Sequence, residues 1–262
     1  MDSEIELNDV IQQLHAVSTV PDLYPLLVSL NVVTSLLELL SHPNTDISVA
    51  IIDIIQELTD VDVLHESEEG AEKLIDCLKE QKITKLLIAN MDRLDESVKE
   101  EADGVHSTMA IFENLTEIRP EEMCMEIAEQ GLLQWILKRL RIKMFDPNKL
   151  YCSEILSILL QNTNENRILL GNVEGIDILL QQLATYKRHD PSNPEEQEYM
   201  ENLFNCLCSS LLAKENRSHF LKGEGIQLMN LMLREKKLSR NGSLKVLDYC
   251  MTGTDGKENS AK

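Results

Sequence analysis

The sequence is short of the residues that punctuate β architecture. Its 262 residues include only ten glycines, seven prolines and 4% aromatics, with a single tryptophan. That leaves too few turn formers and rings for a sandwich or barrel. No stretch approaches the ~18 apolar residues of a membrane span. The start, MDSEIELNDVIQQL, has no basic segment followed by an apolar one, so no signal peptide is expected. Acids outnumber bases 45 to 25, a formal charge of −20. Phosphate must be met by Lys and Arg, so this balance disfavours a nucleic-acid surface and an anionic membrane surface alike. The six cysteines (Cys77, Cys124, Cys152, Cys206, Cys208 and Cys250) are scattered through apolar patterns. They are expected to be reduced thiols of a cytosolic or nuclear chain, not the disulfide framework of a secreted one.

The chemistry of catalysis is also missing. Neither GxxxxGK[ST] nor GxGxxG occurs, so no phosphate loop is expected. The six histidines form no HExxH and no zinc spacing with cysteine. Cys206 and Cys208 lie two apart on a helix and point to different sides, and the simplest reading is two small buried hydrophobes. Adjacent acids such as Glu100–Glu101 and Glu121–Glu122 diverge by about 100° on a helix. They therefore cannot face one cleft as general acid and base. No catalytic residue, metal or cofactor is expected.

The distribution of charge is uneven. Met1 to Gly70 holds 14 acids and no Lys or Arg; the first base is Lys73. Such a density of like charge opposes folding by self-repulsion, and a basic partner relieves it.

The apolar periodicity is helical from end to end. Ile47, Ala50, Ile51, Ile54, Ile55 and Leu58 recur at i, i+3, i+4, i+7. So do Val98, Ala102, Val105, Met109 and Phe112, and again Met200, Leu203, Phe204, Leu207 and Leu211. Long helices are predicted at about Thr45–Thr59, Ser97–Glu117, Pro147–Gln161, Pro194–Leu212 and Leu238–Met251. Thr45, Ser97 and Asn148 are the predicted caps of the first three.

The chain also repeats itself. Glu165-Asn166-Arg167 and Glu174-Gly175-Ile176 recur fifty residues on as Glu215-Asn216-Arg217 and Glu224-Gly225-Ile226. Short apolar segments begin at Asn31, Lys82, Gly131, Gly175 and Gly225, each ahead of one of the long helices. Three helices per unit of about 45 residues is the armadillo pattern. The predicted fold is therefore all-α: an armadillo/HEAT-like, right-handed superhelical solenoid of about five three-helix repeats. It spans 1–251, with a capping helix at 1–18 and repeats near 20–60, 61–117, 118–162, 163–213 and 214–251. Residues 252–262 are expected to be a disordered tail. Gly131, Gly175 and Gly225, with Asn31 and Lys82 in the first two repeats, mark the sharp turn into the middle helix.

Several strings resemble the beta-catenin-like protein family: LDESVKEEADGVH (Leu94–His106), LLQWILKRL (Leu132–Leu140), NKLYCSEILSILLQ (Asn148–Gln161), EEQEYMENLF (Glu195–Phe204) and FLKGEGIQLMNLMLREKK (Phe220–Lys237). The resemblance implies a non-enzymatic armadillo-type scaffold of the nucleus, associated with pre-mRNA splicing. Its implied partners are splicing factors of the nineteen complex and a cytidine deaminase, recognised through Lys/Arg-rich segments. The family's N-terminal extension with a basic localisation signal, and its further C-terminal repeats, have no counterpart in this sequence. Cytoplasmic residence and altered partner binding by a truncated form are thus alternative expectations.

In an armadillo array the longest helix of each unit lines the concave face. The candidate contacts for a basic peptide are therefore the polar residues of the first two long helices: Asp46, Asp53, Gln56 and Glu57, then Glu101, Glu113, Asn114 and Glu117. Carboxylates would take charge-assisted hydrogen bonds and Asn114 the peptide backbone. The importin-alpha pattern of Trp four residues before Asn is absent, since Ala110 stands four before Asn114. Self-association into a homodimer through the apolar surface of Leu238–Met251 is the alternative structural reading.

Overall fold

The computed structural model describes residues 2–235 and 238–252, and among these every regular element is helical. The tail expected over 252–262 lies outside the described residues from 253 onward, as do Lys236 and Lys237. The chain divides into two compact units, one of residues 1–123 with 130–132 and one of 124–129 with 133–262.

The first unit opens with α1 (Asp2–Ser18) and a 3-10 turn at Pro21–Leu23. Then come α2 (Tyr24–Ser29), α3 (Val32–Leu39), α4 (Thr45–Leu58) and the single-turn α5 (Val61–Leu64). These are followed by α6 (Glu68–Glu80), α7 (Ile83–Met91), α8 (Lys99–Ile118) and the start of α9 (Pro120–Ile127). The apolar stripe read from the sequence is the buried face of α4: Ile47, Ile51, Ile54, Ile55 and Leu58 are all in the core. The helix packs against α1 on one side and α8 on the other, so α1, α4 and α8 lie side by side. The single residue between α8 and α9, Arg119, makes an ion pair with Asp76 at 2.7 Å, and Lys79 pairs with Glu122 beside it.

The second unit follows the same order. After the rest of α9 come α10 (Leu133–Leu140), α11 (Pro147–Gln161), α12 (Asn164–Asn172), α13 (Gly175–Ala184), a 3-10 turn at Thr185–Lys187 and α14 (Pro194–Ser210). It ends with α15 (Lys214–Lys222), α16 (Gly225–Glu235) and α17 (Arg240–Thr252). Here α14 packs against α11 on one side and α17 on the other.

Each short-to-middle helix junction turns on one left-handed residue. These are Asn31 (φ 58), Lys82 (φ 55), Gly131 (φ 121), Glu174 (φ 61) and Glu224 (φ 58). The expectation that Gly175 and Gly225 make the turn is corrected: in those repeats the glutamate just before the glycine does. The glycines are needed for space instead. A Cβ on Gly175 would lie 2.4 Å from Leu170, and one on Gly225 2.3 Å from the Phe220 ring.

The three predicted caps are displaced as well. The residue capping α4 is Asn44, whose side chain accepts from the Asp46 amide. The residue capping α11 is Asp146, accepting from the Lys149 amide, because Pro147 occupies the first helical position and pushes the cap ahead of it. Ser97 instead donates its amide and hydroxyl to Asp95 in the turn before α8, whose boundary residue Val98 has no capping side chain.

Candidate functional site

The burial pattern of α4 recurs in α8 at an offset of 57 residues. Ile51, Ile52, Ile54, Ile55, Leu58 and Thr59 match Thr108, Met109, Ile111, Phe112, Leu115 and Thr116, all buried. The opposite faces therefore correspond too. Asp46 stands in register with Asp103, Glu57 with Asn114, Gln56 with Glu113 and Asp60 with Glu117. Asp46, Asp53, Glu57, Asp60, Asp103 and Glu117 are exposed on this open side, with Asn114 half-buried between them. Gln56 and Glu113 are half-buried on its flank.

Side chains of all three neighbouring helices meet here. The Ser18 hydroxyl donates to Glu57 Oε2 at 2.6 Å, and His15 Nδ1 lies 2.7 Å from the same oxygen. Ser107 on α8 donates to Asp53 Oδ1 at 3.4 Å. Burial pushes the Asp53 carboxyl above the usual carboxylate range; the Ser107 hydrogen bond and His15 oppose this, while the charges of Glu57 and Asp103 reinforce it. Tyr24, buried under the same face, is raised by burial and by the charges of Asp60 and Glu57, and its hydroxyl donates to the Ser18 carbonyl.

Glu101 is arranged differently from the other seven residues expected at the site. Its carboxylate accepts from the Thr45 hydroxyl at 3.0 Å and from the Asp95 amide at 2.6 Å, tying the turn before α8 to the start of α4. His15 and Asp103, which the sequence reading passed over, join the face instead, as does Asp60, whose Oδ1 also caps α5 by accepting from the Asp62 and Val63 amides. Asp103 was findable, since Asp103, Ser107, Ala110, Asn114 and Glu117 follow one another at helical spacing opposite the apolar stripe.

The two units differ in charge. The first carries 27 acids and 7 bases, and the second 18 of each. The formal charge of −20 thus belongs entirely to the first unit. Among the described residues no group of three or more His, Cys, Asp or Glu is arranged to hold a metal ion.

The helical order and the repeated junctions define an all-α armadillo-type repeat protein. A solved structure titled a designed armadillo repeat protein in complex with peptide (KR)4 has this fold, with a TM-score of 0.64 over 94% of each chain and 13% identity. The family model described as "Catenin-beta-like, Arm-motif containing nuclear" matches residues 1–262, and the chain belongs to that family. It is 65% identical to Beta-catenin-like protein 1 of Homo sapiens over its full length, and 35% identical over 97% of its length to the Beta-catenin-like protein 1 homolog of Schizosaccharomyces pombe. It spans 46% and 45% of those two proteins, about half the length of each.

Proposed function

We propose that the chain is a non-enzymatic interaction scaffold whose α1–α4–α8 face docks an extended Lys/Arg-rich segment of a partner protein. Membership of an armadillo-repeat family supports the scaffold. The observation that carries the ligand class is the confinement of the whole net charge to the first unit, with six exposed carboxylates on one face. Helices packed side by side are about 8–10 Å apart. Alternate side chains of an extended peptide are about 7 Å apart. A peptide crossing the helices thus brings a cation to each carboxylate row in turn, and half-buried Asn114 is placed to hold its backbone. The designed armadillo protein of the same fold, solved with an alternating Lys–Arg peptide, makes the same kind of partner reasonable here.

The setting we propose is the nucleus, in association with the pre-mRNA splicing machinery. Splicing factors of the nineteen complex and a cytidine deaminase are the partners the family resemblance implies. The test is a titration of a fluorescent Lys/Arg-rich peptide at low and high salt. Exposed charges are screened over about 8 Å at physiological ionic strength, so affinity falls as salt rises. Reversal of Asp53 and Glu57 to Lys weakens binding more than reversal of Glu195 and Glu198, which are exposed on α14. No binding at low salt, or affinity indifferent to salt, refutes the proposal.

Self-association is the second reading, favoured by the exposure of Leu238, Leu244 and Tyr249 on and beside α17. A concentration-dependent dimer in sedimentation, lost on changing Leu238 and Leu244 to Gln, would support it.

A further inference from the structure

The acidic face already holds one cation-forming group, and it belongs to the chain itself. His15 projects from the last turn of α1, and its Nδ1 sits 2.7 Å from Glu57 Oε2. The Ser18 hydroxyl, which also reaches the His15 carbonyl at 2.8 Å, lies 2.6 Å from the same carboxylate oxygen, so two side chains of α1 bear on Glu57. Asp53 is close enough to feel the imidazole. Lys and Arg are absent from residues 1–70, which include all of α1 and α4. The groups beside the imidazole are the acids Glu57 and Asp53 of α4 and the Ser18 hydroxyl; next to these lie Asp103 of α8, beside Asp53, and the Tyr24 hydroxyl and Asp60, the residue that caps α5, beside Glu57.

We infer that Glu57 is a subsite for one guanidinium or ammonium of the ligand, and that His15 is its resident stand-in, competing with the ligand when protonated. This rests on the reading of the face as a basic-peptide site. An imidazole is the side chain whose charge changes between pH 5 and 8. As the imidazolium it satisfies Glu57 and repels an arriving cation. As the neutral ring it leaves the full carboxylate charge to the ligand. Acidification thus weakens peptide binding through His15, and bound peptide in turn disfavours protonation of His15, because linkage is reciprocal.

The experiment measures binding of a Lys/Arg-rich, histidine-free peptide at pH 5.5 and 7.5 in constant low salt, for the wild-type chain and for His15→Gln. Wild-type affinity is expected to rise about three- to ten-fold between the two pH values, about 0.7–1.4 kcal/mol. His15→Gln is expected to bind at pH 5.5 more tightly than wild type and to lose most of the dependence. A second measurement needs no variant: the His15 ring resonance should titrate at lower pH with saturating peptide than without it. Binding with equal pH slopes in both proteins, or a His15 titration unmoved by peptide, overturns the inference and leaves the basic-peptide reading intact. Absence of binding by either protein at either pH overturns both.

Discussion

The side-chain amides of Asn166 and Asn216, fifty residues apart, make the same pair of hydrogen bonds. Asn166 Nδ2 donates to the carbonyl of Leu159 at the end of α11 and to that of Cys124 in α9, each at 2.8 Å. Asn216 Nδ2 donates to the carbonyl of Ser210 at the end of α14, at 2.9 Å, and to that of Arg167 in α12, at 2.7 Å. Each amide closes the preceding long helix and fastens one short helix to the next. The arginine that follows does related work: Arg167 Nε donates to Leu160 and Arg217 Nε to Leu211. The repeated Glu-Asn-Arg is therefore a repeat-stacking device.

Removing the amide leaves two carbonyls without their donor, both in buried bonds at Asn166 and one of them at Asn216, at about 1–3 kcal/mol for each buried unsatisfied group. Asn166→Ala and Asn216→Ala are each expected to lower stability by about 2–4 kcal/mol, read from urea unfolding. Gly171→Ala should act through the same rung, since its Cβ would lie 1.9 Å from Asn216 Oδ1. If all three variants match wild type, the rung carries no weight.

The left-handed junctions lead to a prediction of the opposite sign. A non-glycine residue at positive φ costs about 1–2 kcal/mol, part of which is returned by the smaller entropy of its unfolded chain. Lys82 is exposed, and its side chain makes no capping hydrogen bond. Lys82→Gly should raise stability by about 0.5–1 kcal/mol. Gly131→Ala, at φ 121, should lower it by at least as much. Thermal unfolding of the two variants, compared with wild type, checks both signs.

These junctions also show what the sequence could and could not reveal. The long helices and their order were readable, because the i, i+3, i+4 stripes set burial directly: of the stripe from Ile47 to Leu58 only Ala50 is less than fully buried, while Ser48 and Ile52, outside the stripe, join the inner face of α4. Turn chemistry was readable only to within a position. Gly175 stands beside the left-handed Glu174; glycine is the residue that tolerates positive φ most readily and glutamate a good helix former, so propensity pointed one position too far along. The caps failed for a related reason. Thr45 has the right chemistry, but its hydroxyl donates to Glu101, 56 residues away, and Asn44 caps α4 instead. Helical phase was enough to put Asp53 and Glu57 on the exposed side of α4. The pairing of Glu57 with His15 depends on α1 lying against α4, a tertiary contact that no local pattern encodes.

A buried lysine makes the second unit sensitive to alkaline pH. Lys149, 3% exposed, donates to the Ile142 carbonyl and to Gln182 Oε1, and its ammonium lies 5.4 Å from the centre of the Tyr199 ring. Burial, aided by the charge of Arg139 and resisted by that of Asp146, holds its pKa down to about 8, against 10.5 for a free lysine. The unfolded chain thus binds more protons than the folded one between these values, and stability from this group rises as pH increases through that window. The buried thiols act the other way: burial pushes Cys208 up to about 11, and its contribution is lost above the ordinary thiol pKa. Comparison with Lys149→Met removes the terms the two proteins share. Between pH 8 and pH 10 the wild type should gain about 1–2 kcal/mol relative to this variant in urea unfolding. A difference that does not change with pH would show that Lys149 titrates normally.

Asp103 and Glu101, two residues apart on α8, separate binding from folding. Asp103 is exposed on the open face, one turn from Ser107 and within electrostatic reach of Asp53. Glu101 accepts from Thr45 and from the Asp95 amide. Asp103→Lys removes one carboxylate and adds a cation where the peptide is proposed to lie. It also relieves some of the repulsion that raises the Asp53 carboxyl. Binding of a Lys/Arg-rich peptide should fall at least five-fold, about 1 kcal/mol, with stability unchanged or slightly increased. Glu101→Lys deprives the Asp95 amide and the Thr45 hydroxyl of their acceptor, so stability should fall by about 1–2 kcal/mol. Binding by the fraction that remains folded should be affected less than in Asp103→Lys. Peptide anisotropy and urea unfolding on the two variants give four numbers. If Glu101→Lys abolishes binding while Asp103→Lys leaves it intact, the peptide lies across the α4–α8 turn and not along the face that Asp53 and Glu57 share.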